Sequence, residues 1–145
     1  KYNLTDTAAA MGRVQLTRAR EMADRRAAIA AEFDRAFADL PVTLPAHAPE
    51  GSSHAWHLYV LRLDPGAPVA RDRFIELMAE REVGTSVHFI PLHLQPYWRD
   101  SYQHQPEDFP VATAEFAKAV SLPAFSAMTD DDVAQVTAAV RSILA

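Results

Sequence analysis

The stretch HAWHLYVLRLD, residues 54–64, decides the fold class of this 145-residue chain. Its aromatic and branched residues predict a strand, and apolar side chains at both alternating positions predict that both faces are partly covered. A second run, TSVHFI at residues 85–90, predicts another strand, and SLPAF at 121–125 predicts a short extended segment. The three runs indicate one small three-stranded sheet, mixed or antiparallel.

A long helix is predicted before the first of these strands. Thr5 or Asp6 can cap it, and alanine and arginine, both strong helix formers, dominate from there to Leu40 without an intervening proline. Its first third contains alanines and a glycine, which allow another backbone to approach closely. We therefore predict that residues 1–40 form a helix between domains or subunits, and that its first third packs on something outside this chain.

Three shorter helices are predicted farther along the chain. Residues 70–82 are amphipathic, and Gly84 is suited to the left-handed position that ends a helix. Residues 111–120 are helical in pattern, and Thr129 begins a capping box that leads into the last helix. The predicted fold class is α/β, or α+β-like: a small sheet covered by helices, mainly on one face.

Length and composition exclude several classes of protein. A chain of 145 residues predicts a single domain over 1–145, and 14 basic against 19 acidic residues give a net charge of −5, which argues against nucleic acid as a partner. No apolar run approaches the ~18 residues that a membrane span requires. The absence of cysteine fits a cytoplasmic protein. Because the chain opens at Lys1 without methionine, we expect it to be part of a longer protein.

Five pieces of sequence, in their order, resemble one family. They are YNLTD at 2–6, RR with IA and F at 25–33, AWHLYVLRLD at 55–64, VGTSVHFIPLHLQPYW at 83–98, and FPVA followed by SLP and MTDDDV at 109–133. This order is similar to the C-terminal part of the DegT/DnrJ/StrS sugar aminotransferases. The resemblance covers essentially the whole of this chain.

The resemblance implies a fold type I aminotransferase that uses pyridoxal 5′-phosphate (PLP). In that family a large N-terminal domain carries the lysine that forms a Schiff base with PLP, and this chain corresponds to the small C-terminal domain. The enzymes transfer an amino group, usually from glutamate, to a keto carbon of a nucleotide-linked sugar in cell-surface polysaccharide or amino-sugar biosynthesis. They act as homodimers whose active sites lie at the subunit boundary.

Neither lysine of the chain is suited to hold PLP. Lys1 is a chain end, and Lys118 lies in a predicted helix. A lysine that forms a covalent intermediate needs desolvation or a nearby cation to lower its pKa, and the sequence around Lys118 supplies neither. We predict that the chain contributes no catalytic residue, that it is inactive alone, and that PLP is bound by the parent enzyme rather than by this part.

Asn3 and His88 are the first two candidate site residues. The resemblance implies that Asn3 reaches the PLP phosphate of the partner subunit, and an amide donor near a helix N-terminus suits a phosphate. The alternative is an asparagine at a frayed terminus. His88 lies at the end of the second predicted strand, where ligand groups gather, and the resemblance implies that it contacts the sugar nucleotide or lies near the cofactor. The alternative is a structural histidine bonded to a backbone carbonyl.

The loop PLHLQPYW, residues 91–98, supplies the third candidate. Tyr97 and Trp98 offer flat surfaces on which a nucleotide base could stack, whereas the alternative is a loop anchored by its own aromatic rings. His54 and His57 lie three apart on the predicted strand and point to opposite faces, so they cannot share a metal ion. With no cysteine and no HExxH spacing, no metal site is predicted.

A second class of function is compatible with the same residues. The chain could be a stand-alone α/β module that binds a small ligand through the aromatic loop or interacts through its first helix. In either case exposed apolar residues between Leu4 and Leu16 predict self-association.

Overall fold

The computed structural model describes residues 2–145, and Lys1 lies outside it. The predicted fold class is confirmed, because residues 2–145 form five α-helices and one three-stranded antiparallel sheet. The predicted division into a single small domain with an interdomain helix stays a prediction.

Helix α1, Asp6–Phe37, begins where its capping residue predicts. The Thr5 side chain accepts a hydrogen bond from the Ala8 N–H at 3.3 Å. The helix has two unlike halves. Its C-terminal half buries Ile29, Phe33 and Phe37, whereas nearly all residues up to position 21 are exposed.

The sheet consists of β1, Val42–Thr43, β2, Tyr59–Leu63, and β3, Ala119–Leu122, in the order β1-β2-β3. Both pairs are antiparallel, with Val42 opposite Leu63 and Tyr59 opposite Leu122. Tyr59, Leu61 and Leu63 are buried and the residues between them are half-buried. Thus β2 is covered on both faces as predicted, although it is shorter than the predicted 54–64.

The prediction of a strand at residues 85–90 is wrong. The segment makes a single bridge, in which Ser86 pairs with Ser121 of β3, and then leaves the sheet. Side chains 88–90 are exposed, so no buried face holds a longer ladder there. The third strand comes instead from Val42–Thr43, for which the sequence pattern predicts no strand.

Helix α2, Arg71–Ala79, buries Phe74 and Met78 but ends earlier than predicted. The residue with a left-handed backbone is Glu82, at φ 61°, so the assignment of that role to Gly84 is wrong. The turn closes on the Met78 carbonyl, which accepts from the Val83 N–H at 3.0 Å.

The segment after residue 91 is more helical than the sequence indicates. A 3-10 turn at Leu92–Leu94 leads into α3, Pro96–Tyr102, whose first residue is a proline, and a second 3-10 turn follows at Pro106–Asp108. Proline suits a first helical turn because its missing N–H would be unpaired there anyway. Helix α4, Pro110–Lys118, begins in the same way and runs directly into β3.

Helix α5, Asp130–Leu144, starts with the predicted capping box. The Thr129 hydroxyl accepts from the Asp132 N–H at 3.1 Å, and the Asp132 carboxylate accepts from the Thr129 N–H at 2.7 Å. The bond from the Thr129 N–H, and then one from the Thr129 hydroxyl to the same carboxylate, hold the pKa of Asp132 below its usual range. The far end of α5 is tied to the end of α1, because Arg141 donates two bonds to the Asp39 carboxylate. That guanidinium lowers the pKa of Asp39 to about 2.

Candidate functional site

His88 is attached to the sheet through a side-chain bond. Its Nδ1 lies 2.9 Å from the Oγ of Ser121, a residue of β3 that is only 5% exposed. The ring itself is exposed and meets the edge of Phe89 at a centroid distance of 4.7 Å. A cis peptide bond joins His88 to Phe89. The partner of His88 is therefore a buried hydroxyl, not the backbone carbonyl of the structural alternative.

The residues that follow His88 present apolar side chains outward. Phe89 is 76% exposed, and Ile90 and Leu92 are also largely exposed. Three such residues within four positions of an exposed histidine form an apolar surface that this chain does not cover.

Tyr97 lies on α3 in a row of aromatic rings. It meets the edge of Trp98 at 5.4 Å, Trp98 stacks on Tyr102 at 5.5 Å, and Tyr102 stacks on His104 at 5.7 Å. Tyr97 remains 69% exposed at the end of the row. Within residues 2–145 no hydrogen bond or ring contact joins Tyr97 to His88.

His93 is a structural residue rather than part of an open surface. It is 5% exposed, stacks on Phe109 at 4.6 Å and has its Nε2 2.9 Å from the Thr113 hydroxyl. That hydroxyl donates its proton to the Pro106 carbonyl at 3.0 Å. Since a hydroxyl has one proton, Thr113 accepts from His93, which therefore carries a proton on Nε2. The expectation of a loop anchored by its own rings describes His93 well.

Asn3 lies in the extended segment just before the Thr5 cap of α1, and it is exposed. Its position supplies an amide donor close to a helix N-terminus, as a phosphate contact requires. The described contacts do not bring it together with His88 or Tyr97. The three candidates are thus on three separate elements: the start of α1, the segment beside β3, and α3.

Lys118 is the last residue of α4 and is paired with a carboxylate. Its Nζ lies 3.1 Å from Glu115, and the same carboxylate lies 3.2 Å from Arg62 of β2. Lys118 first, and then Arg62, hold the pKa of Glu115 below its usual range. The Lys118 side chain, 38% exposed, thus lies in a surface ion pair and not in the desolvated setting that a covalent lysine needs.

Sequence reasoning missed a polar cluster under the loop before β2. The Tyr59 hydroxyl donates to Asp34 of α1 at 2.8 Å, and His47 Nε2 lies 2.9 Å from the other oxygen of that carboxylate. Burial, reinforced by Asp34, raises the pKa of Tyr59. The sequence does contain a signal for this cluster. Asp34 interrupts an apolar face of α1, and the Tyr59 hydroxyl is a polar group on the buried face of β2, so each needs a partner.

His54 and His57 are not on a strand, so the predicted arrangement on opposite faces is wrong. The chain instead folds tightly there: the Trp56 N–H donates to His54 Nδ1 at 2.9 Å, and Trp56 is buried at a left-handed φ of 47°. Arg26 of α1 donates to the Ala55 carbonyl at 2.8 Å and holds this turn against the helix. Because the chain bends at Trp56, β2 begins only at Tyr59.

Arg25 of α1 is also a contact residue, toward the start of the last helix. It donates to the Met128 carbonyl at 2.7 Å and to Asp130 at 2.9 Å, at the start of α5.

The described part of the chain shows neither a metal-binding cluster nor a membrane-spanning helix. Residues 2–145 contain no group of three or more histidine and acidic side chains that could hold a metal ion. None of the helices in that range combines the length and apolar character that crossing a bilayer requires.

The fold is shared with solved sugar aminotransferases. A putative sugar aminotransferase from Streptococcus pneumoniae, in its PMP form, superposes with a TM-score of 0.88 at 27% identity, over 97% of this chain and 35% of that one. The aminotransferase TlmJ from Streptoalloteichus hindustanus superposes with a TM-score of 0.82 at 29% identity, over 94% of this chain and 36% of that one.

The chain belongs to the DegT/DnrJ/EryC1/StrS aminotransferase family, whose sequence model matches residues 1–141. It is 41% identical over 146 residues to the spore coat polysaccharide biosynthesis protein SpsC of Bacillus subtilis. That match covers 99% of this chain but 38% of SpsC. The chain thus spans little more than a third of the relatives it matches, and the predicted family resemblance is confirmed.

Proposed function

We propose that this chain is the C-terminal small domain, residues 1–145, of a PLP-dependent aminotransferase. The whole enzyme transfers an amino group from glutamate to a keto carbon of a nucleotide-linked sugar, in the cytoplasm, for polysaccharide or amino-sugar biosynthesis. One observation carries the proposal: the family match extends over nearly the whole chain, while the chain spans 38% of SpsC. The name of SpsC supports the link to polysaccharide biosynthesis.

The side chains present here fit one part of PLP and not another. Lys118 does not fit the covalent link, because its amine is partly exposed and paired with the Glu115 carboxylate at 3.1 Å, without the desolvation that a covalent lysine needs. The amide of Asn3, close to the N-terminus of α1, fits a phosphate oxygen as a hydrogen-bond donor. When bound, PLP supplies the electron sink for amino transfer. In this proposal the covalent lysine belongs to the large domain, and Asn3 binds the phosphate held by the partner subunit of a homodimer.

The exposed candidates bind the substrate in this proposal. His88 offers one ring nitrogen outward while the other is held by Ser121, and Tyr97 offers an exposed ring face and hydroxyl. Both are reachable from solvent, and both lie beside uncovered apolar side chains. Polar groups on an apolar wall are the usual composition of a small-molecule site.

The first half of α1 is proposed as the contact with the large domain and the partner subunit. Met11, Val14 and Leu16 in this half, and Leu4 just before the helix, are each more than half exposed, and no other element of residues 2–145 covers them. A run of uncovered large apolar residues on a helix marks an interface.

The test compares this chain with a longer protein that continues upstream of Lys1 and contains the large domain. Both are incubated with PLP, reduced with borohydride and analysed by mass spectrometry, and both are assayed with glutamate and a keto-sugar nucleotide. We expect a covalent adduct and amino-sugar product only from the longer protein. Lys118→Arg in the longer protein is the matched control and should leave adduct and product unchanged. An adduct on Lys118, or turnover by the short chain, would contradict the proposal.

A further inference from the structure

We propose that Ser121 is a positioning residue that selects the tautomer of the His88 imidazole with its proton on Nε2. His88 then acts toward a ligand as a hydrogen-bond donor, and not as a base. The bond between the two residues belongs to this chain whatever the enzyme acts on; only the identity of the ligand rests on the proposed function.

Ser121 is fixed from both sides by backbone pairing. It lies opposite Val60 in β2, and on its other side its N–H donates to the Ser86 carbonyl at 2.7 Å. The Ser86 N–H returns a bond to the Ser121 carbonyl at 3.1 Å. The same bridge therefore fixes both Ser121 and the segment that leads to His88 two residues later. The distance of 2.9 Å between His88 Nδ1 and Ser121 Oγ is therefore set by paired backbone near both residues.

Counting protons decides which group donates. Ser121 is 5% exposed, and within residues 2–145 its hydroxyl has one hydrogen-bond partner, His88 Nδ1. If Nδ1–H donated, the hydroxyl proton of a nearly buried serine would be left without an acceptor, which is unfavourable. If the hydroxyl donates, its proton and the Nδ1 lone pair are both satisfied, and the ring proton must be on Nε2.

The second hydroxyl–histidine pair shows the opposite arrangement. The Thr113 hydroxyl has its own acceptor, the Pro106 carbonyl at 3.0 Å, so it is free to accept from His93 Nε2. Among the described residues, the Ser121 hydroxyl has no such carbonyl partner. The two histidines therefore carry the same tautomer for different reasons: in His93 the Nε2 proton is used inside the fold, and in His88 it is available outside.

The chemistry of the outward group follows from this assignment. The ring of His88 is exposed, so an Nε2–H donor meets a ligand oxygen with lone pairs and no proton to give. In a sugar nucleotide those are the diphosphate oxygens and the keto oxygen, which would accept this bond. A base that removes a proton would need the opposite tautomer.

The test reads the tautomer directly. Long-range ¹⁵N–¹H NMR of the 145-residue chain, with labelled histidine at about pH 9, where an ordinary imidazole is neutral, separates protonated from unprotonated ring nitrogens. We expect His88 to have a protonated Nε2 and an unprotonated Nδ1. Ser121→Ala should move both nitrogen shifts of His88 toward each other, as in a tautomer mixture, and Ser121→Thr should restore them.

A control variant tests whether the change in the His88 shifts is specific to Ser121. Thr113→Val should alter the ring shifts of His93 and leave those of His88 unchanged. The wild-type spectrum needs no variant, so a misfolded S121A chain does not remove the test. A protonated Nδ1 in wild-type His88, or His88 shifts that do not respond to a folded S121A chain, would overturn the inference.

The longer enzyme tests the consequence for binding. His88→Gln places an amide N–H donor near the position of Nε2, whereas His88→Glu offers only acceptors at neutral pH. We expect H88E to raise the KM for the sugar nucleotide about 10-fold or more relative to H88Q, since hydrogen bonds to charged groups contribute ~1.5–3 kcal/mol. If H88E and H88Q have equal KM values, while the wild-type spectrum shows the Nε2–H tautomer, the substrate role of His88 is overturned. The bond between Ser121 and His88 is then still supported.

Discussion

The packed region and the outer region of this chain use similar residues in different ways. We define the packed region as residues 29–83 with 119–145, and the outer region as residues 2–24 with 88–111. Phe33 in the packed region is fully buried and stacks with Phe37, whereas Phe89 in the outer region is 76% exposed. An apolar sequence pattern alone therefore does not determine whether a side chain is buried by its own chain or by another one.

The largest expected difference between the two regions is in core packing. Phe33→Ala should lower the free energy of unfolding by about 3–5 kcal/mol, because it leaves a cavity between Phe37 and Tyr59. Phe89→Ala should change it by less than about 0.5 kcal/mol, since the ring is exposed. Urea unfolding followed by circular dichroism measures both. A similar loss for the two variants would mean that the outer region is packed in solution.

The polar cluster of the packed region predicts a smaller effect with a pH signature. Tyr59→Phe should cost about 1–3 kcal/mol, because the half-buried Asp34 carboxylate loses its hydroxyl donor. Folding raises the pKa of Tyr59, so above pH ~10 only the unfolded chain releases the phenolic proton, and wild-type stability falls as the pH rises further.

The tyrosine variant should lack this alkaline loss. Unfolding by urea at several pH values between neutral and alkaline separates the two chains. An identical decline of the wild-type and Y59F curves above pH ~10 would show that another group causes it.

The two threonine caps offer the most direct comparison of the regions. Thr129→Ala should destabilise the chain by about 1 kcal/mol, because α5 is anchored in the core and loses its capping box. Thr5→Ala removes the same kind of bond from the exposed start of α1, which frays without unfolding the core. Global unfolding should therefore be unchanged, and amide exchange of the first turn should speed up. Equal destabilisation would show that α1 folds as one cooperative unit.

The smallest effect is expected from the ion pair between α5 and the end of α1. The pKa of Asp39 falls from its ordinary 3.8 to about 2 beside Arg141, so its contribution is present above pH ~4 and is lost as the pH falls toward 2. Asp39→Asn should lower the Tm slightly at neutral pH, and the gap to the wild type should close in acid. Because the pair is exposed, added salt should shrink the gap as well. A gap that grows in acid would contradict the assignment.

The sequence predicted best where the determining chemistry is local. Thr5 and Thr129 mark the starts of α1 and α5 because an N-cap acts on backbone groups only two or three residues away. The run 85–90 looked like a strand, but a strand needs a partner, and only Ser86 finds one. β1 has two residues and no pattern of its own, so only its pairing with β2 defines it.

The candidate site could also be predicted only in part, because residue types are visible in the sequence and long-range contacts are not. His88, Tyr97 and Asn3 stand out by residue type and by resemblance to a family, and the structure leaves all three exposed. Ser121 does not stand out, because the contact of its side chain with His88 joins residues 33 positions apart. A serine inside the apolar run AVSL was the available signal, since a buried hydroxyl needs a partner.

Strand β3 forms one edge of the sheet, and this edge is protected. β3 has four residues, its free side is occupied at Ser121 by Ser86, and Pro123, which has no N–H to donate, follows immediately. A neighbouring molecule therefore finds no continuous row of amides on which to add a strand. On the β3 side of the sheet, the backbone ladder is therefore closed to amyloid-like growth.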